Sequence, residues 1–131
     1  REFDLRSNGT DSVDMVICDV SFISLFHIFP FARKWLEPEG EAVFLIKPQF
    51  EAGPAHLNRK GIVTHPGVHK TVIMNVIDQA QEAGFRIQGI CPAPVPEPGR
   101  NIEYLLWAGK SGLQIPDIGA VIAQAFRDQA E

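Results

Sequence analysis

The chain has 131 residues and a formal net charge of -4; 45% of its residues are hydrophobic and 21% are charged. This length allows one domain at most, and the composition is typical of a globular core rather than a disordered segment. No apolar run approaches the ~20 residues of a membrane span, so we expect no bilayer-crossing segment, and no leader-type segment opens the chain. The acidic balance argues against a general nucleic-acid coat and leaves room for a local basic site.

The two cysteines, Cys18 and Cys91, lie far apart within apolar runs. Because no C-x-x-C motif is present, the pattern predicts neither a zinc site nor a thioredoxin-type site. It favours two buried free thiols in a reducing cytoplasm. His65 and His69 have the spacing of one helix face but lack a third ligand, so we predict surface histidines and no metal.

The first strand and the first helical segment follow each other directly. Residues 14–19 form an apolar run without alternation, which is typical of a strand covered on both faces. Residues 23–36 have helical spacing, with Ser21 or Ser24 as a candidate cap. Pro30 predicts a break there and the start of a second helical segment.

A turn and a second buried strand come next. Residues 37–40 read Glu-Pro-Glu-Gly, which predicts a turn. The apolar run that follows ends at Lys47, because Pro48 keeps the backbone extended and cannot donate to a ladder. Residues 50–64 are polar and rich in glycine, which indicates a long loop of the kind that is often functional.

The remainder predicts a helix, two strands and a final helix. Residues 65–83 have helical spacing and stop before Gly84. Strands are predicted over residues 85–91 and 103–108, joined by a proline-rich connector, and a last helix starts at residue 115. A connection this short without a helix points to an antiparallel pair.

This order of elements defines an α/β fold that ends in an antiparallel hairpin strand. We expect the first two strands to lie side by side and parallel, with helices on both faces of the sheet. Phe85 and Trp107 are predicted to belong to the core.

Three charged residues are predicted to meet at one rim of this sheet. Asp19 closes the first strand, Lys47 closes the second, and Glu103 opens the fourth, antiparallel strand. Ligands bind at this edge of open α/β sheets. A lysine with an ordinary pKa of roughly 10.4 is a poor base, so proton abstraction would need a second cation nearby. The alternative is that all three are ordinary strand-end charges.

Four blocks of sequence carry a family resemblance. They are DVSFISL from Asp19, KPQFEAG from Lys47, KGIV from Lys60 and NIEYLLW from Asn101. Together they resemble the C-terminal part of the haemolysin-A (TlyA) type, FtsJ-like ribosomal RNA methyltransferases, over nearly the whole stretch from Asp14 to Trp107.

The resemblance implies a Rossmann-like domain that uses S-adenosylmethionine to methylate a ribose 2′-hydroxyl of rRNA. FtsJ-like enzymes carry a Lys-Asp-Lys-Glu tetrad, and block position matches Asp19, Lys47 and Glu103 to its last three members. The first lysine lies upstream in the family and would be the missing cation. Lys47 would then accept the hydroxyl proton, with the two carboxylates as orienting groups.

The resemblance also implies ligand contacts. Asp19, Val20 and Ser21 would touch the cofactor, and ribosomal RNA or a ribosomal subunit would be the partner in the cytoplasm. Four further residues are candidates for substrate binding: Phe22, Phe50, Arg59 and Lys60. Core packing for the two aromatic residues, and a solvated loop for the two basic ones, are the alternatives.

The chain departs from the family at its start. It opens on Arg1 without an initiating Met, and no glycine-rich turn follows its first strand, although that turn holds the cofactor in methyltransferases. We therefore expect residues 1–131 to be the C-terminal portion of a larger catalytic domain, an incomplete sheet of later strands. Such a fragment would be inactive alone and would bind the cofactor poorly. Its first strand would be an exposed edge that favours a homodimer.

Two other functions compete with this reading. One is a non-catalytic α/β module that binds RNA or a protein. The other is a membrane-active haemolysin, which the acidic chain and its short helices disfavour.

Overall fold

The computed structural model describes residues 12–94, 97–110 and 117–130. Four strands form one open sheet in the order β1-β2-β4-β3. They are β1 (Val13–Cys18), β2 (Leu36–Ile46), β3 (Arg86–Pro92) and β4 (Tyr104–Gly109). β1 and β2 are parallel neighbours, and β4 runs antiparallel to both β2 and β3. The predicted α/β class, the parallel first pair and the final antiparallel strand are confirmed.

Four helices connect and cover this sheet. They are α1 (Phe29–Trp35), α2 (Pro48–Glu51), α3 (Pro66–Glu82) and α4 (Ile118–Ala130), with 3-10 turns at Leu25–His27 and Pro54–His56. The predicted break is confirmed, because Pro30 stands in the first turn of α1. Ser24 is the cap of the preceding 3-10 turn, its Oγ accepting a hydrogen bond from Phe26 N at 3.1 Å. Gly84 follows α3 with a φ of +100°, the left-handed conformation that favours glycine.

Two predicted boundaries were wrong. Residues 37–40 are not a turn between elements but part of β2, where they bulge out of the ladder. Val13 pairs with Leu36 and Met15 with Glu41, so β2 holds more residues than β1 over the same stretch. The predicted loop of residues 50–64 starts inside α2 and contains the 3-10 turn at Pro54–His56. Parts of the proline-rich connector and the predicted start of the last helix lie outside the described residues.

One face of the sheet carries the hydrophobic core. Ala42, Phe44 and Ile46 alternate along β2 toward this face and are fully buried beneath the helices. The ring of Phe44 meets the rings of Phe29 and Phe85 edge-on, with centroids 4.9 and 5.5 Å away. Core burial of Phe85 is thus confirmed, and aromatic packing joins α1, β2 and the start of β3.

The other face of the sheet is apolar and uncovered by the described helices. Its members, which we call the open face, are Met15, Ile17, Val43, Leu45, Leu105 and Trp107. Ile17 and Trp107 both pair with Val43, so they lie on the same side of the sheet, and they are 73% and 42% exposed. We expected helices on both faces of the sheet. Within residues 12–94, 97–110 and 117–130, helices cover only one face, so this expectation was wrong.

This arrangement overturns two burial predictions. Trp107 belongs to the open face rather than the core, and its Nε1 donates a hydrogen bond to Glu41 Oε1 at 3.1 Å. Cys91 pairs with Leu105 in the sheet and is exposed, whereas Cys18 is half-buried. Burial raises the pKa of the Cys18 thiol, and the neighbouring Asp19 adds to that shift.

The expected edge strand is confirmed, because β1 ends the strand order and, among the described residues, pairs only with β2. None of the helices in the described part of the chain combines the length and the apolar character that crossing a bilayer requires.

Candidate functional site

Lys47 is a buried charged residue at the carboxyl end of the central strand β2. Its side chain is only 10% exposed. The backbone is extended at Lys47 and turns helical at Pro48, whose missing N–H is tolerated in the first turn of α2. The sequence Lys-Pro thus ends the strand, starts the helix and leaves the lysine at the junction.

Asp19 is the charge partner of this buried lysine. The Lys47 ammonium forms an ion pair with the Asp19 carboxylate and donates a hydrogen bond to Ser21 Oγ at 3.3 Å. β1 and β2 are parallel neighbours, so their carboxyl ends meet at the same edge and the pair forms across it. The Asp19 side chain is 61% exposed, so this end of the ion pair is open to solvent.

Glu103 reaches the same rim from the opposite direction along the chain. Ile46 of β2 pairs with Tyr104 of β4 in antiparallel register, so the next residues, Lys47 and Glu103, face one another at the end of the ladder. Gln49 of α2 donates a hydrogen bond from Nε2 to Glu103 Oε2 at 2.9 Å. The structure therefore brings Asp19, Lys47 and Glu103 to one edge of the sheet.

Glu51 anchors α2, which carries Gln49, to the body of the protein. Its two carboxylate oxygens accept hydrogen bonds from Ser24 Oγ at 2.8 Å and from Leu25 N at 2.9 Å. Burial raises the pKa of Glu51, and these two hydrogen bonds act against that shift. Sequence reasoning missed both Gln49 and Glu51, since their partners lie 54 and 26 or more residues away along the chain.

Two aromatic rings border the buried lysine. Phe22 is 89% exposed, which excludes core packing for this residue. Its ring lies against Phe50, with centroids 4.8 Å apart, and the Lys47 Nζ is 5.9 Å from the Phe50 centroid. Phe22 has a φ of +64°, a left-handed backbone that costs a side-chain-bearing residue about 1 kcal/mol or more. Backbone strain of this kind concentrates at functional sites.

Arg59 and Lys60 lie on an exposed loop beside the same rim. The Asn58 side-chain oxygen accepts hydrogen bonds from the backbone N–H groups of Lys60 and Ile62, both at 2.9 Å, and so shapes the turn. Lys60 and Glu103 line one cavity of about 560 Å³. The loop thus brings positive charge close to the acidic end of the rim.

His69 was predicted on the surface and is instead completely buried. Its Nε2 donates to the backbone oxygen of Val63 and its Nδ1 accepts from Tyr104 Oη, both at 2.8 Å. A carbonyl can only accept, which assigns the proton to Nε2. Burial lowers the pKa of His69 and raises the pKa of Tyr104. Both ring nitrogens are engaged, so a metal site with His65 is excluded.

The residues that the resemblance assigns to S-adenosylmethionine lie on one side of the rim. Asp19, Val20 and Ser21 stand at the end of the edge strand, as the resemblance requires. A cofactor cradle needs glycines that let the backbone approach the ligand. Gly53 and Gly61 lie in the loop after β2, and within the described residues no glycine lies in the turn that follows β1. The residues present do not fit the whole cofactor. In the described ranges, no three His, Cys, Asp or Glu residues group as metal ligands.

Comparison with known proteins gives a consistent result. The model of the FtsJ-like methyltransferase family matches residues 2–110. TlyA of Mycobacterium tuberculosis, a 16S/23S rRNA (cytidine-2'-O)-methyltransferase, is 37% identical over 95 residues, which cover 72% of this chain and 35% of TlyA. YqxC of Bacillus subtilis, assigned as an rRNA methyltransferase, is 38% identical over 120 residues, which cover 86% of this chain and 43% of YqxC.

A solved structure shows the same fold. A protein from Streptococcus thermophilus assigned as a hemolysin superposes with a TM-score of 0.79 at 35% identity, over 93% of this chain and 46% of that protein. The chain therefore spans less than half the length of each of these three relatives.

Proposed function

Because the chain belongs to the FtsJ-like methyltransferase family, we propose that it supplies the proton-handling rim of an S-adenosylmethionine-dependent rRNA ribose 2′-O-methyltransferase. The buried Lys47, paired with Asp19 and facing Glu103 across the β2–β4 ladder, is the observation that carries this proposal. The rRNA methyltransferase TlyA, at 37% identity, supports the same substrate class, and so a place of action in the cytoplasm.

Each rim residue has a chemical role in this proposal. Lys47 accepts the proton of the ribose 2′-hydroxyl as the oxygen becomes nucleophilic, a contribution typically of about 10²–10⁴ in rate. Asp19 holds the ammonium in place through the ion pair, and Glu103, held by Gln49, orients the ribose. When bound, S-adenosylmethionine supplies the methyl group. The second cation that a lysine base requires comes from outside the described residues.

The neighbouring side chains suit an RNA substrate. The exposed Phe22 ring, backed by Phe50, offers a flat apolar surface on which a splayed nucleobase stacks. Arg59 and Lys60 offer positive charge to the backbone phosphates. Stacking and charge together position the ribose, and positioning carries much of the rate in such reactions.

Residues 1–131 are, in this proposal, the C-terminal portion of the catalytic domain, and further protein completes it. The open face supports this, because an uncovered apolar sheet face is typical of an interface. The partial fit of the cofactor site points the same way. The chain alone is then inactive, and the remainder of the cofactor site lies on the part that packs against the open face and the β1 edge.

A fusion protein tests the assignment. The segment of Mycobacterium tuberculosis TlyA that precedes the matched region is joined to this chain, and transfer of labelled methyl to rRNA is measured in single turnovers. We expect Lys47→Ala to reduce the rate by about 10²-fold or more. Asp19→Ala and Glu103→Ala should reduce it by a smaller factor, because these side chains orient rather than accept the proton.

Lys70→Ala is the matched control, because Lys70 is an exposed lysine on α3. Near-normal rates in all three rim variants would overturn the catalytic assignment. An inactive fusion beside an active TlyA control, with RNA binding retained, would favour the non-catalytic binding module instead.

A further inference from the structure

A cavity of about 560 Å³ lies next to the proposed catalytic rim and contains none of Asp19, Lys47 or Ser21. Glu103 and Gln49 form its wall toward the rim, and Lys60 and Arg100 bring two positive charges to it from different segments of the chain. The volume falls within the roughly 300–1,000 Å³ of small-ligand sites. The cavity is therefore large enough for a nucleotide unit and is continuous with the rim.

The two cations are free to bind an anion. The ion pairs of the described residues join Lys47 to Asp19 and Lys110 to Glu39. Neither the Lys60 ammonium nor the Arg100 guanidinium has a hydrogen-bond or ion-pair partner within the described ranges. Two unpaired cations that line one cavity suit a phosphate group, which accepts charge-assisted hydrogen bonds from both.

The cavity is held in shape by a polar clamp. Asn101 accepts a hydrogen bond from Val63 N at 3.0 Å and donates one to the Gly61 carbonyl oxygen at 2.9 Å. These bonds tie the Lys60 loop to the segment that carries Arg100 and Glu103. His69 fixes the far end of the same loop through Val63. The two cations therefore start from a largely ordered backbone, which lowers the entropy cost of binding.

Gln49 provides a second, independent indication that the cavity binds a ligand. Its Nε2 is committed to Glu103, whereas its Oε1 is buried without a hydrogen-bond partner among the described residues. A carboxylate only accepts, so this orientation of the amide is set by chemistry. An unpartnered buried acceptor is uncommon and costly. A hydroxyl or N–H group of a bound nucleotide would satisfy it.

We infer that this cavity is a nucleotide subsite that binds the phosphodiester group adjoining the target ribose of single-stranded RNA, through Lys60 and Arg100. This inference rests on the proposed function for the identity of the neighbouring ribose. Gln49 links the subsite to the rim, because one amide contacts both Glu103 and the bound nucleotide. Arg100 is thus a substrate-positioning residue for which the sequence carried no signal.

The test uses the 131-residue chain and a fluorescein-labelled single-stranded hexaribonucleotide, with binding followed by fluorescence anisotropy at low salt. We expect Arg100→Gln and Lys60→Gln each to weaken binding about tenfold. Each should also lower the slope of log K against log salt by about 0.7, the value for one phosphate contact on a single strand. Lys70→Gln removes the same charge from α3 and should change neither quantity.

A hexamer with neutral methylphosphonate linkages separates phosphate binding from general attraction. The wild-type chain should bind it about tenfold more weakly than the normal hexamer, and Arg100→Gln should discriminate between the two much less. Equal losses in Arg100→Gln and Lys70→Gln would overturn the inference, as would failure of the wild-type chain to bind the normal hexamer at low salt.

The binding assay tests the phosphate subsite and the methyl-transfer assay tests the proposed function, so a negative result in one does not decide the other. A fusion that methylates rRNA while Arg100→Gln and Lys60→Gln bind RNA normally would leave the proposed function in place and remove the subsite. The opposite result, with specific loss of binding and an inactive fusion, would keep a phosphate-binding site and remove the methyltransferase proposal.

Discussion

Phe44 and Leu45 are consecutive residues of β2, and their side chains lie on opposite faces of the sheet. Phe44 points into the covered face, is fully buried and packs edge-on against two other rings, whereas Leu45 points to the open face and is only partly buried. Both are strongly apolar, and both suit a strand buried on two sides. The difference shows that the described helices cover one apolar face of the sheet and leave the other apolar face exposed.

The proposed catalytic rim is held by elements that pack on the covered face of the sheet. Lys47 follows the buried end of β2, and Glu51 anchors α2 to the turn that precedes α1. Glu103 is held from α2 through Gln49. The rim geometry is therefore built by packing that the described residues provide. In the proposed function, the cofactor side, next to β1 and the open face, depends on further protein.

The largest expected effect compares the two faces directly. Phe44→Ala should lower the free energy of unfolding by about 3–5 kcal/mol, because it leaves a cavity among packed rings. Leu45→Ala on the open face should cost only about 1 kcal/mol, because this side chain is partly exposed on a face that the described helices leave uncovered. Urea unfolding of the isolated chain measures both. Equal losses would show that the open face is covered in solution.

A smaller effect concerns the pH dependence of the covered core. Burial lowers the pKa of His69 in the folded chain below the value of about 6.5 that it has in the unfolded chain. At a pH between these two pKa values, the unfolded chain therefore binds more protons than the folded chain. The free energy of unfolding should thus be highest above about pH 6.5 and fall as the pH drops through that window. His69→Gln should remove this part of the slope, and the exposed His56→Gln should retain it. Identical slopes in both variants would contradict the account.

The smallest effect on stability is expected at the edge of the open face. Ile17→Lys should change the free energy of unfolding by no more than about 0.5 kcal/mol, because the side chain is 73% exposed. A charge on an apolar edge strand opposes pairing with a second chain. Sedimentation should therefore show less self-association in Ile17→Lys than in the wild type. Unchanged association would contradict the sequence-based expectation of a homodimer through this edge.

Much of the fold was predictable because its signals are local. Pro30, Pro48 and Gly84 punctuate the chain, and the apolar runs between them define strands and helices. The faces of the sheet were not predictable, since Phe44 and Leu45 look alike in sequence whether or not anything covers them. Cys91 and Trp107 were misplaced for that reason.

The candidate site divides in the same way. Asp19, Lys47 and Glu103 stand at element ends, so topology alone placed them on one rim. Gln49 depends on a partner 54 residues away, and His69 on Tyr104, 35 residues away. Such contacts follow from tertiary packing and leave no periodic or spacing signal. Arg100 was missed because a single exposed arginine has no pattern of its own.

The most direct test of the central claim compares methyl transfer by the isolated chain with transfer by the same chain joined to the preceding segment of TlyA. We predict no transfer to rRNA by the isolated chain and measurable transfer, dependent on Lys47, by the fusion. Transfer by the isolated chain would show that the described residues already form a complete catalytic unit and would contradict the account.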